Sequence, residues 1–215
     1  MFLKIKNIPK VSWSSDKPLN LKPKISTFFF LCFGLILFGL GEGLLIVSTS
    51  GASPWSVLAQ GISLKSGFSV GLITFILSIS VLIFWIPLNQ KPGIGTILNA
   101  LIVALMIDVC IKYFPSPENY LSQMLLGAIA VLIVGLGGGI YLIANLGAGP
   151  RDGLMVGLQK KTNLPIAAVR ATLEITVVCT GWYLGGTVGV GTLLFAFGIG
   201  PAVALGLFFV KKFFN

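Results

Sequence analysis

The chain has 215 residues, of which 55% are hydrophobic and 10% are charged, and its mean hydropathy is +0.98. Because soluble domains carry about 25% charged residues, this composition excludes an ordinary soluble domain. It predicts an all-α polytopic membrane helix bundle in a lipid bilayer. The formal net charge is +9, but the basic residues are not patterned for nucleic acid. The sequence contains no histidine, which removes the commonest general base and zinc ligand.

Residues 1–24 form a basic tail with six lysines and three prolines ahead of the first apolar run. Cytoplasmic flanks of membrane helices are enriched in Lys and Arg, so the tail is predicted to be cytoplasmic. Its polar composition predicts a mobile segment with a loose attraction to anionic lipid headgroups. The apolar run that follows exceeds the signal-peptide core of about 7–15 residues, and we expect it to remain as the first membrane helix.

Residues 25–215 are predicted to form the membrane domain, with about six spanning helices of roughly 20 residues each. Two short helices, 54–65 and 150–161, each follow a break that contains glycine and proline. At about 1.5 Å per residue they are too short to span, and we predict that they are re-entrant or interfacial half-helices. The predicted spans, with a kink at Pro201 in the last, are 25–48, 69–88, 95–113, 120–145, 165–184 and 191–213.

The two halves of the membrane domain align without a gap at an offset of 96 residues. This register predicts an internal duplication, with repeat one at 25–113 and repeat two at 120–213. Three spans per half would give the halves opposite orientations. Spanning short helices would instead give a parallel four-plus-four bundle. Basic residues do not separate these two layouts, whereas helix length favours the inverted three-plus-three layout. The aligned pairs include Gly39–Gly135, Gly41–Gly137, Gly43–Gly139, Gly51–Gly147, Ala52–Ala148 and Pro54–Pro150.

The break in the second half is the strongest candidate for a binding site. Gly147, Gly149 and Pro150 predict a sharp turn and a new helix, and Arg151 and Asp152 fall in its first turn. The N–H groups at a helix start attract anions, and broken helices that meet near the midplane are typical of secondary transporters. A substrate site between the two breaks is therefore one interpretation. The other is structural: the turn caps the helix, and Asp152 complements its dipole.

Four further charged residues lie in predicted spans, where an unpaired charge is costly. Arg170 and Glu174 are four residues apart on one helix face, and form either a structural ion pair or the charged lining of a pathway. Glu42 lies among glycines of the first span, where it either binds a proton or cation, or pairs with a basic side chain. Asp108 lies near the end of its span, and we expect it at the membrane interface.

The stretch ANLGAGPRDGLM at 144–155 resembles the YczE/YitT-like bacterial integral membrane proteins, and more specifically the YczE side. The stretches PIAAVR at 165–170 with Glu174 and GGTVGVGT at 185–192 are similar to the same family. The resemblance covers roughly residues 25–215. It implies a multi-pass protein of the bacterial inner membrane, and it implies no established substrate.

The residues themselves predict a secondary-transporter-like permease for a small molecule or ion. A non-transporting membrane protein that supports a partner or an assembly is the alternative. We expect no cofactor and no enzymatic activity, because the sequence lacks a paired-carboxylate motif and its glycine runs do not follow a P-loop pattern. The predicted substrate-binding residues are Glu42, Gly147, Gly149, Pro150, Arg151, Asp152, Arg170 and Glu174.

Overall fold

A computed structural model describes residues 8–214, and every regular element in that range is an α-helix. The predicted all-α class is therefore confirmed, and each helix lies close to its predicted bounds. The helices are α1 (Ile25–Val47), α2 (Pro54–Ser66), α3 (Val70–Trp85), α4 (Ile94–Tyr113), α5 (Tyr120–Ala144), α6 (Pro150–Thr162), α7 (Ile166–Tyr183) and α8 (Val190–Phe214).

Four helices, α1, α4, α5 and α8, are long and apolar enough to cross a membrane. The helices α2 and α3 meet at an angle of 115° and would make a fifth span if the bent pair were counted as one. The helix α3 alone has 16 residues, while α7 has 18 but includes the charged Arg170 and Glu174. The predicted total of six spans therefore stays a prediction.

The centre of the bundle is an antiparallel crossing of α1 and α5 that depends on small residues. Gly34 of α1 lies against Gly137 and Tyr141 of α5, and a methyl group at Gly34 would come within 2.7 Å of the Tyr141 backbone nitrogen. Further along the crossing, Gly41 lies against Val134 in the same way. Small residues let membrane helices approach until their backbones touch, so these glycines set the distance between α1 and α5.

Each of the two central helices packs against a second helix that runs parallel to it. Gly39 and Gly43 of α1 meet Val103 and Cys110 of α4 in the same order along the chain. The helix α8 follows α5 in the same manner. The contacts that define this second pair are Gly135 with Ala202 and Gly139 with Gly206.

The backbone makes the same turns in both halves of the chain. Every described residue with a positive φ has a counterpart 96 positions away that also has a positive φ. Glycine and asparagine adopt this left-handed conformation most readily, and they fill seven of the eight positions. The four pairs are Thr49–Asn145, Gly51–Gly147, Gly67–Asn163 and Asn89–Gly185.

The two breaks reach across the bundle, each to the start of a helix in the opposite half. The Gly95 N–H at the start of α4 donates to the Leu146 carbonyl at 2.8 Å. The Gly191 N–H at the start of α8 donates to the Ser50 carbonyl at 2.8 Å. These bonds satisfy otherwise orphaned groups at the helix starts and fix each break in place.

Part of the tail before α1 packs against the bundle. Val11 and Trp13 are buried, the Trp13 ring stacks on Phe30 at 4.5 Å between centroids, and the Asn145 side chain donates to the Ser15 carbonyl at 2.8 Å. The expectation of a mobile tail is thus wrong for residues 11–15, because their apolar side chains cover the ends of α1, α5 and α8. Residues 1–7 lie outside the described residues.

The two halves differ in how their outer helices pack. The helix α3 packs against α4, whereas within the described residues α7 does not pack along α8. The Asp108 carboxylate of α4 ties down the start of α3 by accepting from Ser69 Oγ at 2.6 Å and from the Gly71 N–H at 2.7 Å. The positions that correspond to Ser69, Gly71 and Asp108 in the second half are Pro165, Ala167 and Ala204.

Candidate functional site

A cavity of about 250 Å³ lies where the starts of α2 and α6 meet, beside α1 and α5 and between α7 and α8. Its wall combines apolar and aromatic side chains with ionisable ones. Residues that are far apart in sequence thus come together around one space. The ionisable wall residues predicted from the sequence are Glu42, Arg151, Asp152, Arg170 and Glu174.

Glu42 is the most buried of these charges, with a relative exposure of 1%. Its Oε2 atom accepts hydrogen bonds from Ser53 Oγ at 2.6 Å and from Ser56 Oγ at 2.7 Å, both at the start of α2. Its Oε1 atom is buried and has no hydrogen-bond partner among the described residues. A buried acceptor without a partner costs about 1–3 kcal/mol, so Oε1 calls for a donor from outside the protein.

Arg151 supplies the opposite charge from the first turn of α6. Its guanidinium carbon lies 5.3 Å from the centroid of the Trp55 ring, a distance at which a cation is attracted to the face of an aromatic ring. Among residues 8–214, the only ion pair within 4 Å joins Arg170 to Glu174. The N–H groups of Arg151 therefore remain available to an acceptor in the cavity.

Asp152 is held by a neighbour from the central crossing. The buried Tyr141 hydroxyl of α5 donates to Asp152 Oδ2 at 2.7 Å. The Asp152 residue is itself exposed, although it lines the cavity. The cavity therefore connects to the outside of the protein.

Arg170 and Glu174 form an ion pair within α7, with Arg170 Nε 2.8 Å from Glu174 Oε1. Their side chains are 48% and 21% exposed, and both line the cavity. The pair is thus an ion pair within α7 that lines the cavity, and its role in a pathway stays a prediction.

The two glycines and the proline of the second break do not line the 250 Å³ cavity. Gly149 and Pro150 line a neighbouring cavity of about 60 Å³ together with Asn99. Gly147 lines neither of these cavities; its φ of 115° makes the turn, and a methyl group there would lie 2.7 Å from Thr96 Oγ1. Gly147 therefore shapes the backbone of the site rather than its wall.

Sequence reasoning missed the partners of the charged residues. Nothing in the sequence pairs Ser53 or Ser56 with Glu42, or Tyr141 with Asp152, because these bonds form only after the chain has turned between helices. Trp55 could have been identified as a site residue from the sequence, because it occupies the position equivalent to Arg151 at the offset of 96.

Four long apolar helices define this chain as an integral membrane protein. It belongs to the family of unknown function DUF6198, whose model matches residues 25–207. It is 41% identical over 200 residues to an uncharacterised protein of Haemophilus influenzae strain Rd, a match that covers 93% of this chain and 91% of the relative.

Two proteins of Bacillus subtilis strain 168 are also similar. One is the uncharacterised membrane protein YczE, at 33% identity with 79% of each chain covered. The other is the uncharacterised protein YyaS, at 28% identity with 78% of this chain and 85% of the relative covered. No solved structure matches. The resemblance to the YczE side of the family is confirmed, and the function has to be argued from the site.

Proposed function

We propose that the protein is a secondary-transporter-like permease for a small solute, and that the 250 Å³ cavity is its binding site. The observation that carries this proposal is a pair of opposite charges left apart. Within the described chain, Glu42 Oε1 has no partner, and Arg151 has no carboxylate within 4 Å. A bundle without a ligand is more stable when buried charges pair directly. Their separation across a cavity is favoured when a bound solute supplies a partner of opposite charge to each of the two groups.

The second part of the proposal is the membrane layout, with two inverted halves of three spans each and with α2 and α6 as re-entrant helices. The antiparallel packing of α1 and α5 supports it, because a parallel four-plus-four bundle would point these equivalent helices the same way. The common direction of α1 and α4 supports it as well, since four consecutive spans would make them antiparallel. The four equivalent left-handed turns further support duplication.

The third part of the proposal concerns access to the cavity. The gap between α7 and α8 serves as the entrance, because both helices line the cavity and do not pack along each other within the described residues. The equivalent gap between α3 and α4 is closed by the bonds from Asp108. Transport then requires the gap between α7 and α8 to close while the gap between α3 and α4 opens, and the reverse.

We also propose a bacterial inner-membrane location with a cytoplasmic N-terminus, as expected from the basic tail. The packing of Trp13 against Phe214, with ring centroids 6.1 Å apart, supports it. This contact brings the tail and the end of α8 to one side of the bundle, and that end carries Lys211 and Lys212. Clustering of basic residues on one side favours the cytoplasmic side. The role is one of binding and transport rather than catalysis.

Two-sided labelling tests the permease proposal without knowledge of the solute. Cysteine would replace Ile199 in the cavity wall, after alanine replaces Cys32, Cys110 and Cys179. A membrane-impermeant maleimide should then label position 199 in proteoliposomes from either face. Val131→Cys is the matched control, because Val131 is buried in α5 and does not line the cavity. Labelling of position 199 from neither face would favour a non-transporting membrane protein.

A further inference from the structure

We propose that the solute is a small zwitterion with an apolar body, such as an apolar amino acid. Glu42 binds its ammonium group and Arg151 binds its carboxylate. This inference rests on the proposed function and specifies the ligand of the same cavity.

The cation end of the ligand is set by the geometry of Glu42. Ser53 and Ser56 both donate to Oε2, and they orient the carboxylate so that Oε1 is left without a donor among the described residues. An ionised carboxylate only accepts hydrogen bonds, whereas an ammonium group only donates. A ligand ammonium at Oε1 would therefore satisfy a buried atom that the chain itself leaves unsatisfied.

The anion end is set by Arg151. A guanidinium group presents a planar fork of N–H donors that matches a carboxylate, and here the face of the Trp55 ring holds it in position. The start of α6 adds the positive end of a helix dipole beside it. A carboxylate in the cavity would meet donors that have no acceptor within ion-pair distance in the described chain.

The charges of the wall argue against a ligand with only one charged end. Arg170 and Glu174 pair with each other, which leaves one cation and two carboxylates facing the cavity. A simple anion would be repelled by Glu42 and Asp152. A simple cation would be attracted by these two carboxylates but would leave the N–H donors of Arg151 without an acceptor. A ligand that carries both charges places each beside its opposite.

The rest of the wall fixes the size and polarity of the ligand body. An apolar cavity of about 150 Å³ holds benzene, so a cavity of about 250 Å³ accommodates on the order of ten non-hydrogen atoms. Leucine and phenylalanine are probes of this size. The apolar wall residues that would contact such a body are Phe38, Leu142, Phe195, Ile199 and Val203.

The test compares leucine with two analogues that each lack one charge, using the full chain in lipid nanodiscs. Leucinamide keeps the ammonium group and lacks the carboxylate, and N-acetylleucine keeps the carboxylate and lacks the ammonium group. Leucine should raise the unfolding temperature and bind at least about tenfold more tightly than either analogue, because each analogue leaves one buried charge unpaired. This comparison uses only the wild-type protein, so no variant has to fold.

A variant then assigns the two ends of the ligand to residues. Glu42→Gln should weaken leucine binding by at least about tenfold and should not weaken the binding of N-acetylleucine, because it removes a carboxylate that repels this anion. Glu118→Gln is the matched control, because Glu118 is exposed in the loop before α5 and should not alter binding.

Three results would overturn the inference. If leucinamide binds as tightly as leucine, the proposed contact between the ligand carboxylate and Arg151 is wrong. If N-acetylleucine binds as tightly as leucine, the proposed contact between the ligand ammonium group and Glu42 is wrong. If neither leucine nor phenylalanine binds, the zwitterion class is wrong. If position 199 is nevertheless labelled from both faces, only the ligand class fails and the permease proposal stands.

Discussion

Arg151 lies over the ring of Trp55, with its guanidinium carbon 5.3 Å from the ring centroid, and the two residues are 96 positions apart in equivalent places of the two halves. Each follows the proline that begins a broken helix, so their contact marks the point where the two breaks meet. One break presents a cation there and the other presents an aromatic face. The opposite charge comes from Glu42 on the central helix α1.

Neutralising Glu42 should stabilise the free protein while it removes binding. The Glu42 Oε1 atom is buried without a partner among the described residues, so Glu42→Gln removes the cost of burying a charge. Its amide oxygen can still accept from Ser53 and Ser56, while its N–H2 group takes the place of Oε1 without an acceptor and offsets part of the gain. We expect thermal unfolding in detergent to show a net gain of about 1 kcal/mol and Glu118→Gln to show none. A large loss of stability would mean that Glu42 is a structural residue.

The hydrogen bonds that Asp108 accepts can be introduced by substitution into the second half of the chain. Pro165→Ser and Ala204→Asp together place a hydroxyl and a carboxylate at the positions that correspond to Ser69 and Asp108. This pair should draw α7 onto α8 and reduce the labelling of a cysteine at position 199 severalfold. Pro165→Ser with Ala204→Asn is the control, because it lacks the charge that strengthens the bond. Unchanged labelling in the charged variant would show that α7 and α8 do not form the entrance.

The central crossing predicts a contrast between two glycines. Gly34→Ala should destabilise the bundle by about 1–3 kcal/mol, because its methyl group would lie 2.7 Å from the Tyr141 backbone nitrogen. Gly200→Ala in α8 meets nothing within 4 Å beyond its own helix and chain neighbours and should change stability by less than about 1 kcal/mol, because Pro201 restricts the residue before it and offsets the gain in helix propensity. Thermal unfolding of both variants checks the prediction. Equal stabilities would contradict the close approach of α1 and α5.

The layout of the spans predicts the sides on which two lysines lie. Cysteine at position 65 and cysteine at position 91 should react with an impermeant reagent from opposite faces of the membrane, in the alanine background described above. Lys65 lies in the last turn of α2 and Lys91 precedes α4. Reaction of both positions from one face would contradict the inverted three-plus-three layout.

The sequence revealed most of the backbone of this fold because its signals are local. Apolar runs predicted the helices, and glycine, asparagine and proline predicted the turns, since few other residues adopt those conformations. The burial of Trp13 was not predictable in this way. It depends on three helix ends that meet only in the folded bundle, and the polar composition of the tail pointed to a mobile segment instead.

The site was predictable as a set of charges and not as a geometry. Glu42, Arg151, Asp152, Arg170 and Glu174 were conspicuous because charges are rare in apolar helices. Their hydrogen-bond partners are ordinary serines and a tyrosine, which carry no such signal. The difference between the outer helix pairs does have a sequence signal, because Ala204 stands where the first half has Asp108.

The central claim is that the two halves exchange open and closed arrangements around one cavity, and paired distances test it most directly. Spin labels at Thr176 and Phe197 would report the gap between α7 and α8, and labels at the equivalent Ser80 and Leu101 would report the gap between α3 and α4. Pulsed electron paramagnetic resonance in nanodiscs should find two distances for each pair. A condition that shortens the distance between α7 and α8 should lengthen the distance between α3 and α4. One fixed distance at each pair under all conditions would contradict the account.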